Sequence, residues 1–368
     1  MVPIQSLLLL SGASVVLLWG TMLINGTLNG VSLAAKHGYF PDGRPIRQTF
    51  TGYPSVDGNL VVVVAFFDML ITARNVHAPR WLFFEMCNVL AAINTWVLIE
   101  SRRRGVRNFF LRHIVVFMFL WNMAGAAMVV PLFFYLLARS AYTTRDCTIP
   151  LNEACGFPPT LLVNALFPVL MYAASWLGWH AHTQQGLVAW YHLNPMLMIV
   201  TVVLASRPGT SLTQLETPKR KSAPNEDAPW VVASFVATGV LSAAVHVSVV
   251  LSALAASFTS NTDLGILRLY MPSPRSVFAH PRGSMAALVE GAHLFTQFDW
   301  IIVAAACIII TNHLLEKSAP RLIEQAKKTA LLWNLLGTVV LGPGAAGSFV
   351  LAVRENRMRA MVPAVKTM

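Results

Sequence analysis

A chain of 368 residues with 55% hydrophobic side chains, only 12% charged ones and a mean hydropathy of +0.59 is not a soluble domain, since such domains carry about twice that charged fraction. Its net charge of +11 must then sit in loops and termini, where Lys and Arg meet anionic lipid, which makes nucleic-acid binding a poor explanation of the basic balance.

Apolar stretches near the roughly 20 residues needed to cross a bilayer predict an all-α, polytopic transmembrane bundle of about eight or nine spans in one domain over 1–368. The predicted spans lie near 4–24, 59–75, 81–100, 109–138, 159–181, 186–206, 229–257, 291–313 and 328–352. The fourth span of this pattern is long, the second is short, and the last is interrupted by GPGAAG. Between them, 26–57 is rich in Gly and Pro, 139–158 holds Cys147 and Cys155, and 207–228 reads as a flexible polar loop containing the KRK of 219–221. Residues 258–290 carry an amphipathic patch, LGILRLYM, suited to an interface or a lid, and 353–368 reads as a basic tail. Cys147 and Cys155 would pair only if their loop is lumenal. The first stretch has no basic leader and reads as a span.

Three acids fall at apparent membrane depth. Asp68 lies in NLVVVVAFFDMLITA, Glu85 in WLFFEMCNVLAAINTWVLIE and Asp299 in HLFTQFDWIIVAAACIII. An acid in hydrocarbon costs roughly 2.5–3.5 kcal/mol on insertion scales, so it normally faces a cavity or a partner. The functional reading makes these acids proton donors or relays, and the bland one makes them hydrogen-bonded helix glue. Asn88 and Asn94 are read as polar companions of Glu85 on a broad helix face. Glu290, His293 and Gln297 follow helical spacing on one stripe, with Asp299 slightly off it. His246 stands alone in VLSAAVHVSVVLSAL, and the Trp, Tyr and His of GWHAH and WYHLNP read first as an interfacial belt.

No DDxxD, no set of histidine boxes, no HExxH and no GxSxG appears. Those absences argue against diphosphate ionisation through magnesium, di-iron chemistry and the commonest hydrolases, and no cofactor or metal is expected. Ten Trp, seven Tyr and twenty Phe accompany the acids. Such a composition suits protonation of an epoxide or alkene in a dry pocket, with aromatic faces stabilising the resulting cations by roughly 0.5–2 kcal/mol each. A proton-coupled transporter, a lipid-binding membrane protein or a haem carrier using His180, His182, His246 and His293 remain rivals on the residues alone.

Residues 50–70, FTGYPSVDGNLVVVVAFFDML, carry Thr51-Gly52-Tyr53-Pro54-Ser55-Val56-Asp57 followed by Val64-Ala65-Phe66-Phe67. This resembles the integral-membrane terpene cyclases of fungal meroterpenoid pathways, the ascochlorin-type cyclases, with Thr51 where that pattern has Pro. The resemblance implies metal-free cyclisation of a substrate such as a farnesylated phenol; the chain itself is expected in the endoplasmic reticulum, with a lipophilic substrate entering sideways from membrane lipid. On the position of the residues alone, Asp68 or Glu85 is expected as donor, with Asp299 and His293 forming the opposite wall and offering a base. Asn88, Asn94, Phe67, Trp300, His246 and Glu290 are expected to line the substrate.

Overall fold

The computed structural model describes residues 3–73, 76–106, 108–140, 147–207, 225–258, 264–318 and 324–361. Most of the polar loop over 207–228, including KRK, and the end of the tail beyond Met361 lie outside them. Helices make up the fold, with no strand among the described residues beyond an isolated bridge between Tyr39 and Pro45.

In chain order the main helices are α1 (Ser6–Ile24, with a π-helical middle), α2 (Thr27–His37), α3 (Pro54–Ile71), α4 (His77–Ser101), α5 (Ile114–Ala124) and α6 (Ala126–Arg139). They continue as α7 (Phe157–Trp176), α8 (Ala181–Tyr191), α9 (Asn194–Ala205), α10 (Ala228–Phe258), α11 (Met285–Ser318), α12 (Glu324–Leu341) and α13 (Pro343–Met361). Each expected span contains helix, but three are broken. The stretch 109–138 divides at Gly125, 186–206 bends by 58° between α8 and α9, and 328–352 divides at Gly342. Six described helices are long and apolar enough to cross a bilayer, or seven if the bent pair counts as one span. Uninterrupted spans are fewer than the eight or nine expected because composition does not register where a helix breaks.

α4 is buried on nearly every side, and α11 crosses beside it. α1, α3, α6, α7, α10 and α13 wrap these two. The outer faces of α1 and α10 are apolar and bare, as lipid-facing surfaces are, with Leu9, Val16 and Val240 exposed. Small residues allow close approach between helices. A Cβ on Gly347 would stand 2.3 Å from the Trp96 ring, so this crossing needs glycine.

The segment that carried the family resemblance is a structural turn. Gly52 sits at φ 82°, and Pro54 fills the first turn of α3 behind an extended Tyr53. The Asp57 carboxylate folds back and accepts the backbone N–H of Thr51 and Gly52 at 2.8 and 3.0 Å. Thr51 also donates its hydroxyl to Asp57 at 2.9 Å, a bond that proline could not make.

Far from that turn, buried charges knot the C-terminal helix to the core. Glu100 accepts from Arg103 and Arg354 at 2.7 Å each, Arg103 also reaches Glu355, and Arg359 reaches Asp227 at 2.6 Å. Burial alone would strip the charge from Arg103, yet the Glu100 and Glu355 carboxylates hold its guanidinium protonated well above its ordinary range. Residues 353–361, expected as the start of a basic tail, are thus the end of α13. Cys147, whose carbonyl accepts from Arg103 and Arg359 at this knot, and Cys155 are both buried and form no disulfide with one another.

Candidate active site

The break between α5 and α6 creates the site. Gly125 adopts φ 96° and ψ 130°, a conformation that favours glycine, and a Cβ there would also press on Phe295 and Leu18 at 3.0 and 3.2 Å. A helix interrupted in hydrocarbon exposes N–H and C=O groups that no water can satisfy. Two side chains from distant helices meet them. Trp19 of α1 donates its indole N–H to the Ala124 carbonyl at 3.0 Å, and Asp299 of α11 accepts the Ala127 N–H.

Trp19 and Asp299 also line a chamber enclosed by α1, α2, α3, α4, α5, α8 and α11. About 90 Å³ of it admits the centre of a water molecule, a narrow slot well below the roughly 300–1,000 Å³ typical of ligand pockets. Aromatic rings dominate the walls: Trp19, Phe66, Phe67, Phe83, Trp121, Tyr191 and Phe295. Phe295 meets Phe66 and Trp19 edge-on, at 5.2 and 5.9 Å between centroids, and Phe67 lies 4.8 Å from Phe83. Asp299 is the sole carboxyl among the lining residues, and no Lys, Arg or His lines the walls. Asn122, Thr296 and Tyr191 supply the other side-chain oxygens.

The remaining acids lie elsewhere. Glu85 is fully buried and faces α10 and the loop before α11. Its oxygens accept from Tyr270 at 2.6 Å and from Trp300 at 3.0 Å, and His246 Nδ1 lies 2.7 Å away. Burial and the Glu85 carboxylate beside it raise the Tyr270 hydroxyl above its ordinary range, so it remains a donor. Asn88, one turn on, donates to Ser242, which precedes His246 by one turn of α10. Asn94 does not share this face, since nine residues at about 100° each put it half a turn round from Glu85. Its side-chain oxygen has no hydrogen-bond partner among the described residues.

The stripe on α11 is real and fastens a loop. Gln297 donates to the carbonyls of Arg268, Leu269 and Met271 at 2.9, 3.3 and 3.0 Å, and Glu290 pairs with Arg268. The amphipathic patch LGILRLYM is the clamped segment, with Ile266–Tyr270 helical and packed on α4 and α10. His293, between the two clamps, is buried, and neither ring nitrogen has a hydrogen-bond partner among the described residues.

Asp68 opens into a second, polar cavity. Arg44 reaches it at 3.7 Å and Gln185 donates to it at 3.3 Å. Arg44 also bonds Asp42 at 2.8 Å and the Thr72 hydroxyl. Of the residues expected to act, then, only Asp299 and Phe67 meet in the chamber. Glu85, His246 and Trp300 form one cluster, His293 and Glu290 another, and Asp68 stands in the polar cavity. Sequence reasoning missed Trp19 and Trp121 as chamber walls, whose only signal was an aromatic side chain inside a span, and it placed Tyr191 first in an interfacial belt and second at the mouth of a ligand cavity. Phe66 lay within the quoted family pattern and does line the chamber.

The CtvD domain matches residues 4–359. "Terpene cyclase DEP1" of Fusarium langsethiae is 34% identical over 371 aligned positions, covering 96% of this chain and 98% of that one. "Terpene cyclase DEP1" of Alternaria brassicicola is 34% identical across 93% of this chain and 95% of its own. "Terpene cyclase alnG" of Emericella nidulans is 26% identical across 86% and 84%. No solved structure matches the chain.

Proposed function

The chain belongs to the CtvD-domain family and is a membrane terpene cyclase, and from that premise we propose that it cyclises a prenylated, lipophilic substrate by protonating a terminal epoxide or alkene in the aromatic chamber. The observation that carries the reading is Asp299, the one carboxyl on walls built mostly of aromatic and aliphatic groups.

Asp299 is the proton donor in this scheme. One oxygen is engaged by the Ala127 N–H, which fixes the carboxyl against the chamber wall. Nothing cationic lines the chamber to hold it ionised. Protonation of the epoxide oxygen breaks its bond to the more substituted carbon and leaves a tertiary cation. Successive double bonds attack, and the positive charge migrates along the folded chain past Phe66, Phe295 and Trp19, whose faces attract it by roughly 0.5–2 kcal/mol each. Loss of a proton from the last cation forms an alkene and restores the Asp299 acid, directly or through water. Substrate and product therefore have the same mass, and the narrow slot keeps water from quenching the cations.

Asp68 and Glu85 fit this step less well. Asp68 faces Arg44 across an ion pair outside the chamber. Glu85 directs its oxygens to Tyr270, Trp300 and His246 rather than to open space. The substrate reaches the slot sideways from the bilayer of the endoplasmic reticulum, in keeping with apolar outer helix faces.

The test uses microsomes from a host expressing this chain, incubated with a farnesylated phenol and with its terminal epoxide. A product of unchanged mass and shifted retention time, absent from control microsomes, supports the reading. Unreacted substrate beside folded protein overturns it.

A further inference from the structure

The second cavity is polar, and it lies on the same helices as the chamber. It offers about 550 Å³ to the centre of a water molecule, against about 90 Å³ in the chamber. On α3 the chamber residues end at Phe67 and the polar cavity takes over at Asp68 and Thr72. On α4 the order is His77 and Arg80 for the polar cavity, then Phe83 for the chamber, and on α8 Gln184 precedes Tyr191. At about 1.5 Å rise per residue, these offsets place the two cavities roughly 5–10 Å apart along the helix axes. Between them stand Phe67, Phe83 and Tyr191, with Phe67 centred 4.8 and 6.2 Å from the other two.

The polar cavity is built around an unmatched cation. Arg44 is offset by Asp42 and Asp68. Arg80 has no carboxylate within ion-pair distance among the described residues. It is held instead by the Ser175 hydroxyl at 3.4 Å and by the rings of Tyr172 and Trp176 at 5.9 and 5.7 Å. A guanidinium presented to an open cavity beside Ser175, Thr72 and Gln184 is suited to an oxyanion, which it can grip through two parallel N–H bonds.

We infer that this cavity binds an oxyanionic head on the cyclase substrate and that Arg80 is its specificity-determining residue. The inference rests on the proposed reaction in the chamber and adds to it the residue that selects the substrate's head. The substrate is an amphiphile, with its head at Arg80 and its prenyl chain running past Phe67 and Phe83 toward Asp299. An acidic lipid headgroup offers the same chemistry as a carboxylate, so the experiment must separate the two.

The probes are a farnesylated hydroxybenzoate and the farnesylbenzene lacking both oxygen groups. Their equilibrium binding to the full chain in nanodiscs is followed by tryptophan fluorescence, which needs no turnover and so survives a failure of the Asp299 scheme. In discs of phosphatidylcholine alone, the hydroxybenzoate is expected to bind about tenfold or more tightly than farnesylbenzene. Arg80→Gln should abolish that preference while farnesylbenzene binds as before, and Arg80→Lys should restore part of it. An unchanged preference in Arg80→Gln, or no preference in the wild type, overturns the inference. Repeating the titration with phosphatidylglycerol in the discs completes it. Insensitivity to that lipid supports a substrate head, whereas Arg80-dependent competition by it assigns the cavity to lipid and overturns the inference.

Discussion

Asp299 has two jobs in the structure, and one substitution separates them. As a cap it accepts the Ala127 N–H exposed by the break at Gly125. As an acid it must deliver a proton into the chamber. Asn is close in shape and keeps a carbonyl oxygen to accept the N–H, but its amide cannot serve as a general acid. Positioned general acids contribute about 10²–10⁴-fold, and each tenfold corresponds to about 1.4 kcal/mol of barrier. Asp299→Asn is therefore expected to lower kcat at least about 100-fold, or about 2.7 kcal/mol, while its thermal unfolding midpoint stays close to wild type. Asp299→Ala removes both functions. It leaves a buried N–H unpaired at a cost of about 1–3 kcal/mol and should lower the midpoint as well as the rate. Turnover in nanodiscs is read by mass spectrometry and unfolding by intrinsic fluorescence. An Asn variant that retains a third or more of wild-type kcat would reduce Asp299 to a cap and refute the argument.

Other residues give sharper separations of chemistry from stability. Phe295→Leu keeps the chamber apolar but removes a ring that meets both Phe66 and Trp19. Losing a cation-stabilising face worth roughly 0.5–2 kcal/mol should slow turnover about 2–30-fold and release partly cyclised products, and chromatographic profiles identical to wild type would contradict this. Glu85→Gln breaks a buried carboxylate cluster with Tyr270, Trp300 and His246. It should lower the unfolding midpoint while kcat, measured well below that midpoint, stays within about threefold, and a loss of activity in the stably folded variant would move Glu85 into the chemistry. Arg359→Ala strands Asp227 in the buried charge knot and leaves Glu355 to Arg103 alone. Removing one partner of such a pair costs about 3–5 kcal/mol, so denaturation in detergent should shift strongly, and an unchanged transition would show that the knot contributes little.

How much was readable from the residues follows from which contacts are local. The apolar runs located each of the six described helices long and apolar enough to cross a bilayer, because hydrophobic length is a local property. The breaks were hidden, since one glycine at φ 96° inside an apolar run looks like any small residue. Asp299 stood out as an acid in hydrocarbon, yet its meaning depends on a backbone N–H 172 positions earlier. Glu85 had the same visibility, and its three partners lie 161, 185 and 215 positions away. A single sequence carries no sign of such pairings, so the acids could be enumerated but not ranked. The stripe of Glu290, His293 and Gln297 was legible as one helix face, whereas the loop it clamps was not. Asn94 failed on arithmetic that the sequence did contain, being half a turn from Glu85.

The pattern that suggested the family contributes to chemistry through position. Asp57 and Gly52 shape the turn that launches α3, and neither lines the chamber. The launch angle matters because α3 places Phe66 and Phe67 in the chamber wall and Asp68 in the polar cavity, on three consecutive residues. A helix residue turns by about 100°, so adjacent side chains serve different cavities only while the helix keeps its rotation about its own axis. Slackening the turn at Asp57 would rotate both walls together. The recognisable motif is thus a fixture for the reacting surfaces, and the acid that faces the chamber comes from α11, more than 200 residues further along the chain.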